Sequence, residues 1–219
     1  MFYQLRFSQL DEGRGKTPLS YARYIYLKTK ALVLKDNGGY DLSQGEMNPV
    51  IFEDFVGEVL DREVPPVIWE PFAGHTGVSK TQNFVSNIEG MELISFDLKP
   101  SDERVRQADS TMTSPGKPLG GVLFHPTYFG ARLCDDAREV GFASSKEAYM
   151  GSLRKVAEQA RKYLVPGGLI CAVGRDYRTG GRRIRLDLWY LEMFEKIGMT
   201  LTNVWLSEPD VVLIFEQGV

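Results

Sequence analysis

The sequence predicts an α/β fold: a mostly parallel seven-stranded sheet with helices on both faces, ending in an antiparallel hairpin. Three observations lead there. From Val67 onward, short apolar runs alternate with amphipathic stretches. The runs end in polar or glycine residues, as buried strands do when they lead into crossover connections. The last two runs, 200–206 and 211–216, are separated only by the turn 207–210, so they are expected to be antiparallel neighbours. The chain has 219 residues, 43% of them hydrophobic and 25% charged, which is ordinary globular composition with enough length for one substantial core.

Taken in order, residues 1–45 read as an N-terminal extension of uncertain structure. Phe2, Leu5 and Phe7 suit a short strand, and stretch 21–34 is apolar with neither period prevailing. Residues 46–219 read as one domain. Asn48 and Pro49 make an N-cap and first-turn pair, and Phe52, Phe55, Val56, Val59 and Leu60 recur at helical spacing up to Pro65 and Pro66. Strands are expected at 67–72, 92–97, 105–109, 121–124 and 169–174. Before the last of these lies a helix, with Ser144 and Glu147 as its capping box. Met150, Leu153, Val156, Ala157, Ala160 and Leu164 lie along one face of it, and Pro166, Gly167 and Gly168 form its stop. A further helix, 188–197, precedes the hairpin.

Composition excludes several classes. No stretch approaches 18 uninterrupted apolar residues, and Gln4, Arg6, Ser8 and Gln9 interrupt any leader-like run, so a soluble, cytoplasmic protein without a membrane partner is expected. Cys134 and Cys171 stand apart from each other and from any histidine, which points to neither a disulfide framework nor a metal site. A net charge of -3 excludes a basic coat. Charge is uneven, however: Arg175, Arg178, Arg182, Arg183 and Arg185 crowd one segment against a single acid, Asp176. That segment reads either as a contact for an anionic partner or as a solvated loop.

The residues that suggest chemistry lie where strands end. After the first strand comes Glu70-Pro71-Phe72-Ala73-Gly74-His75-Thr76-Gly77, a glycine-bearing turn whose backbone N–H groups can approach a ligand closely. Asp97 ends the next strand, about 20 residues on, where a carboxylate can hold a pair of ribose hydroxyls. Asp109 ends the third. It suits either an adenine amino group or a cap for the turn that follows.

A parallel sheet closed by a helix and a hairpin resembles, in chain order, the Rossmann-like fold of S-adenosylmethionine (SAM) dependent methyltransferases. The motifs narrow the resemblance. Pro71 to Gly77 is similar to the SAM-binding motif of DNA amino-methyltransferases, and Leu123-Phe124-His125-Pro126-Thr127-Tyr128-Phe129 is similar to their catalytic motif. That motif is usually Asp, Asn or Ser followed by Pro-Pro and an aromatic. The stretch from Gly174 through Asp187 resembles the family's segment after the fifth strand.

The resemblance implies SAM as cofactor, held by Glu70, Pro71, Phe72, Ala73, Gly74, Thr76, Gly77, Asp97 and Asp109. It implies DNA as partner, with methyl transfer to adenine N6 or cytosine N4. His125 and the Pro126 carbonyl would accept hydrogen bonds from the target amine, with Thr127 in the turn that aims that carbonyl. Tyr128 would stack on the flipped base with Phe129, while Arg175, Arg178, Arg182 and Arg183 would contact phosphates. Two positions depart from the pattern. His125 replaces Asp, Asn or Ser, and an imidazolium ring has no acceptor; Thr127 replaces the second proline, which loosens the turn. A protein that keeps the fold with lost or changed chemistry is the alternative, as is an RNA or protein acceptor. The segment 131–143 reads as a lid or as a plain connection. With no separate target-recognition region, specificity would come from residues 1–45, from the arginine segment, or from a homodimer or separate partner.

Overall fold

Helix α1 (Pro49–Leu60) starts where the sequence places it. The Asn48 side chain accepts from the Val50 amide, and Pro49 fills the first turn, where its missing N–H has no cost. Ile51, Phe52, Phe55, Val56 and Val59 are buried along one side. The computed structural model describes Tyr24, Leu27, Lys28, Leu32, Val33 and residues 48–74, 78–131, 136–179 and 181–218.

The remaining elements are β1 (Leu32–Val33), β2 (Val67–Glu70), α2 (Val78–Ser86), β3 (Glu92–Asp97), β4 (Arg106–Gln107), β5 (Leu119–Phe124), α3 (Lys146–Tyr163), β6 (Leu164–Thr179), β7 (Arg182–Arg185), α4 (Leu186–Lys196), β8 (Met199–Ser207) and β9 (Asp210–Gln217). The sheet order is β1-β8-β9-β6-β5-β2-β3-β4, with β7 paired to β6 alone. Strands β4, β3, β2, β5 and β6 run parallel; β9 is reversed between β6 and β8. This is the expected fold class, and the final two strands are antiparallel neighbours as expected.

Both faces of the sheet are covered, as strand alternation requires. Leu123, Leu169, Cys171 and Val173 join α1 in one core, while Val122, Phe124, Ile170 and Ala172 join Leu153, Val156, Tyr190 and Phe194 of α3 and α4 in the other. Gly121 permits the close approach of α1, since a Cβ there would lie 2.9 Å from Val59 Cγ2 and 3.0 Å from Phe55 Cζ.

The structure corrects several details. Two strands exceed the expected seven. β1 adds a parallel edge to β8 through Leu32 and Val33, inside the stretch where neither period prevailed. β7 folds the arginine segment back on an extended β6, so that segment is a hairpin and not a loop. The cap of α3 is Ser145, which accepts from the Ala148 amide at 3.2 Å; Ser144 lies one residue too early for a helix starting at Lys146. β6 begins at Leu164, directly after α3. Its ladder with β5 shifts register between the Leu119 and Gly121 pairings, and this irregularity accommodates Pro166, Gly167 and Gly168. α4 starts at Leu186, two residues earlier than its apolar face suggested. β4 is a two-residue edge strand with both residues exposed. No helix among the described residues is long and apolar enough to cross a membrane.

Candidate functional site

Because β2, β3, β5 and β6 are parallel, the turns after them meet at one sheet edge, and the reversed β9 begins at that same edge. The site has two halves.

The first half follows β2 and β3. Gly74 takes φ of 70°, a left-handed conformation that favours glycine, and a Cβ there would meet nothing within 4 Å. Its amide donates to Asp97 Oδ2 at 3.0 Å, while Asp97 Oδ1 accepts from the Lys99 amide at 2.7 Å. The Ala73 amide bonds the Phe96 carbonyl at 2.9 Å, and the Pro71 carbonyl accepts from Ser110 Oγ at 2.5 Å. Phe72 packs edge-on against Phe124. Glu70 is buried beneath this turn and accepts from Ser95 Oγ at 2.7 Å, which in turn accepts from Gln82 Nε2. Burial pushes the Glu70 carboxyl up to about 7. Asp109 accepts through Oδ1 from the Thr111 amide and hydroxyl, so it caps the turn after β4. Thr76 and Gly77, with His75 between them and Gly74, lie outside the described residues.

The second half follows β5 and β6. His125 leaves the end of β5 half-buried, with Nε2 3.3 Å from the Tyr128 hydroxyl. Tyr128 donates to Asp210 Oδ1 at 3.0 Å, and Arg175 grips the same carboxylate from Nε at 2.8 Å and from Nη2 at 3.2 Å. The Asp210 side chain is 1% exposed and that of Arg175 is 17% exposed, so this is a largely desolvated ion pair. Arg175 and Asp210 are register partners of β6 and β9. The Tyr128 ring stacks on Tyr177 at 5.7 Å, and the Arg175 guanidinium lies 5.3 Å from its centroid. Burial holds the His125 ring well below its ordinary value, at about 4, with Arg175 adding to this and Asp210 opposing it. The ring is therefore neutral at physiological pH.

The turn that carries the motif is held by hydrogen bonds. Thr127 Oγ1 donates to Glu139 Oε1 at 2.9 Å, and the Thr127 carbonyl accepts from the Tyr149 hydroxyl at 3.1 Å. Phe129 packs inward against Tyr149 and Trp189, and its carbonyl accepts from Tyr177 at 2.6 Å. Within 131–143, the described residues fold back on the motif, since the Gly141 carbonyl accepts from the Gly130 amide.

The arginines divide. Arg175 belongs to the buried pair just described. Arg183 is exposed and paired with Asp176 across the hairpin. Arg178 and Arg182 are exposed and have no ion pair among the described residues. Arg185, expected in the same segment, donates to the fully buried Asp187 at 2.9 and 2.7 Å, and the Tyr24 hydroxyl donates to the same carboxylate at 2.5 Å. The sequence reading missed Asp210 altogether. Its only signal was an acid heading the apolar run 211–215. It also missed Glu139 as the partner of Thr127. Cys171 is buried in β6, where burial pushes its thiol up.

The sequence matches no protein-family model and no curated protein. Solved structures do match. The 1,6-didemethyltoxoflavin-N1-methyltransferase of Burkholderia thailandensis, solved with S-adenosylhomocysteine bound, is 13% identical with a TM-score of 0.52, over 95% of this chain and 93% of its own. A SAM-dependent methyltransferase from Clostridium acetobutylicum is 9% identical with a TM-score of 0.51, over 91% and 99%. The fold is that of the SAM-dependent methyltransferases. The [4+2]-cyclase SpnF matches as well, with 10% identity and a TM-score of 0.56 over 85% of this chain and 86% of its own. At such identities the likeness shows the fold alone, and a cyclase among the matches illustrates that the reaction must be argued from the site.

Proposed function

We propose that the protein uses SAM to methylate the exocyclic amine of a DNA base, adenine N6 or cytosine N4. The observation that carries this reading is the adjacency of two strand ends. The turn after β2, with Gly74 tied to Asp97, lies beside the end of β5, which delivers a neutral His125.

The first half fits SAM. Gly74 leaves open space where a side chain would stand, and each Asp97 oxygen accepts one backbone N–H in the structure, leaving lone pairs for ribose hydroxyls. Glu70, Pro71, Phe72 and Ala73 support that turn, and Thr76, Gly77 and Asp109 complete the cofactor set by resemblance. When bound, SAM supplies an electrophilic methyl group on sulfur.

The second half acts on the amine. An exocyclic base nitrogen shares its lone pair with the ring and is a poor nucleophile. Two acceptors on its hydrogens localise that pair and stabilise the positive charge that develops on nitrogen. Neutral His125 is one acceptor and the Pro126 carbonyl the other. The proton released by the methylated nitrogen passes to water. Thr127 does the work of a second proline by a different route, since its bonds to Glu139 and Tyr149 fix the turn from both sides. Arg178 and Arg182 meet phosphate. Arg183 joins them by exchanging Asp176, whereas Arg175 stays with Asp210. Target choice falls to residues 1–45, to the hairpin tip, or to a second copy or protein, and the cytoplasm is the compartment where such a protein meets its DNA.

One observation favours a second reading, a SAM-fold binding protein without transfer: the ring expected to stack on the base, Tyr128, is already engaged by Tyr177, Arg175 and Asp210. Incubation with methyl-labelled SAM and DNA of mixed sequence, followed by nucleoside analysis, tests the proposal. Label is expected in N6-methyladenine or N4-methylcytosine. Label only in parallel RNA or protein samples would move the acceptor, and SAM binding with no transfer to any of them would favour the second reading.

A further inference from the structure

We infer that Arg175, Asp210 and Tyr128 form a relay that fixes the tautomer of His125, placing its single proton on Nε2 and leaving Nδ1 as the acceptor. Its role in catalysis rests on the function proposed above. The tautomer assignment itself does not.

The available hydrogens fix the direction of each bond. A carboxylate beside a permanently charged guanidinium is ionised and can only accept. Asp210 Oδ1 lies 2.8 Å from Arg175 Nε and 3.0 Å from the Tyr128 oxygen, so Tyr128 must spend its one hydrogen on Asp210. What the phenol then offers His125, at 3.3 Å, is a lone pair. Nε2 therefore donates. A neutral imidazole carries one N–H, and the ring is neutral because burial lowers its pKa to about 4. Nδ1 is left with its lone pair.

The opposite tautomer would need the Tyr128 hydrogen to turn toward His125, taking a donor from a desolvated carboxylate. Nδ1 has no hydrogen bond among the described residues. Among the described residues the buried side-chain atoms without a partner are Trp69 Nε1 and Gln217 Oε1, and Nδ1 is not one of them. Its lone pair is the acceptor that His125 has to offer a substrate amine.

The chain draws on three elements: His125 just past the end of β5, Arg175 inside β6 and Asp210 at the start of β9. Arg175 and Asp210 meet as register partners of β6 and β9, beside the turn that leaves β5. Tyr128 and Asp210 are thus positioning residues. They set which nitrogen of His125 is the acceptor, in the manner of a carboxylate that orients a catalytic imidazole elsewhere.

The test is nitrogen-15 NMR on the full chain labelled in histidine. The protein has two histidines, His75 and His125, and the His125 signals are those lost in His125→Asn. At neutral pH the wild type is expected to show a protonated Nε2 and a pyridine-type Nδ1. Tyr128→Phe, which keeps the ring and its stacking, should shift both resonances toward the average of two exchanging tautomers, a change of about tenfold in tautomer ratio. Asp210→Asn should shift them the same way; should that variant fail to fold, Tyr128→Phe carries the test alone. A wild-type spectrum with Nδ1 protonated, or a Tyr128→Phe spectrum identical to wild type, would overturn the relay. In the transfer assay, Tyr128→Phe should lower kcat by about tenfold with KM for DNA unchanged. A protein that transfers no methyl but shows the expected tautomer would sink the proposed function and leave the relay standing.

Discussion

On the β2–β3 side of the sheet edge the site is made of backbone. A left-handed glycine, two amides on one aspartate and a serine-capped carbonyl leave open space above them. On the β5–β6–β9 side it is made of side chains, with His125, Tyr128, Asp210 and Arg175 joined in one desolvated chain and Tyr177 stacked on its middle member. The difference is one of division of labour. A backbone cradle tolerates change and tunes affinity, whereas a buried charge chain is cooperative, so removing one member takes a hydrogen-bond partner from its neighbours.

The sharpest way to break that contrast is Asp210→Ala. It removes the desolvated carboxylate to which both the Arg175 guanidinium and the Tyr128 hydroxyl donate, and a loss of about 3–5 kcal/mol in unfolding free energy is expected by urea titration. A loss under about 1 kcal/mol would mean the chain is solvated and independent. Next in size is Glu70→Gln, which probes the floor of the open half. The folded carboxyl titrates at about 7 against an ordinary 4.5, so its protonated form favours folding. That stability is fully present below 4.5 and is lost as pH rises through 7. The glutamine variant should match wild type in acid and exceed it by roughly 2–3 kcal/mol at alkaline pH. A constant offset across pH would refute the buried-acid account.

Asp97→Ala should act on binding instead of folding. SAM affinity is expected to drop by about 1.5–3 kcal/mol by calorimetry on the folded variant, and an unchanged affinity would make Asp97 a mere brace for Gly74. The smallest effect belongs to the hairpin. Replacing Arg178 and Arg182 should reduce the salt dependence of DNA binding by roughly one unit of slope per phosphate contact, with SAM affinity untouched. An unaltered slope would return these arginines to solvent.

The turn and strand end of the open half were placed by the sequence, and in the closed half so were His125 and Tyr128 but not their partners, for the same physical reason. Gly74 and Asp97 belong to a turn and strand end whose meaning is local, so spacing along the chain identifies them. Asp210 acquires its role only from Arg175, its register partner 35 residues away, and from Tyr128, 82 residues away. Long-range pairing likewise turned Arg175 from an expected phosphate contact into the largely desolvated partner of Asp210. The strands of the sheet were visible because both faces are apolar. The edge strand β1, two apolar residues, and the hairpin strand β7, four residues of mixed polarity, were not, because each is too short to carry a period. Thr127 looked like a loosened proline until Glu139 and Tyr149 were placed beside it.

The pH dependence of methyl transfer from labelled SAM to mixed-sequence DNA bears most directly on the site as a whole. The free ring of histidine protonates at about 6.5, and an imidazolium cannot accept a hydrogen from the target amine. In this protein the groups facing His125 are Tyr128, Asp210 and Arg175, and burial holds its pKa at about 4. Transfer should therefore occur, stay level from pH 8 down to about 5, and fall only on approach to 4, with His125→Asn losing that fall and His125→Ala losing transfer while still binding SAM. A decline centred near 6.5, or SAM binding without transfer at any pH, would contradict a buried neutral histidine as the acceptor.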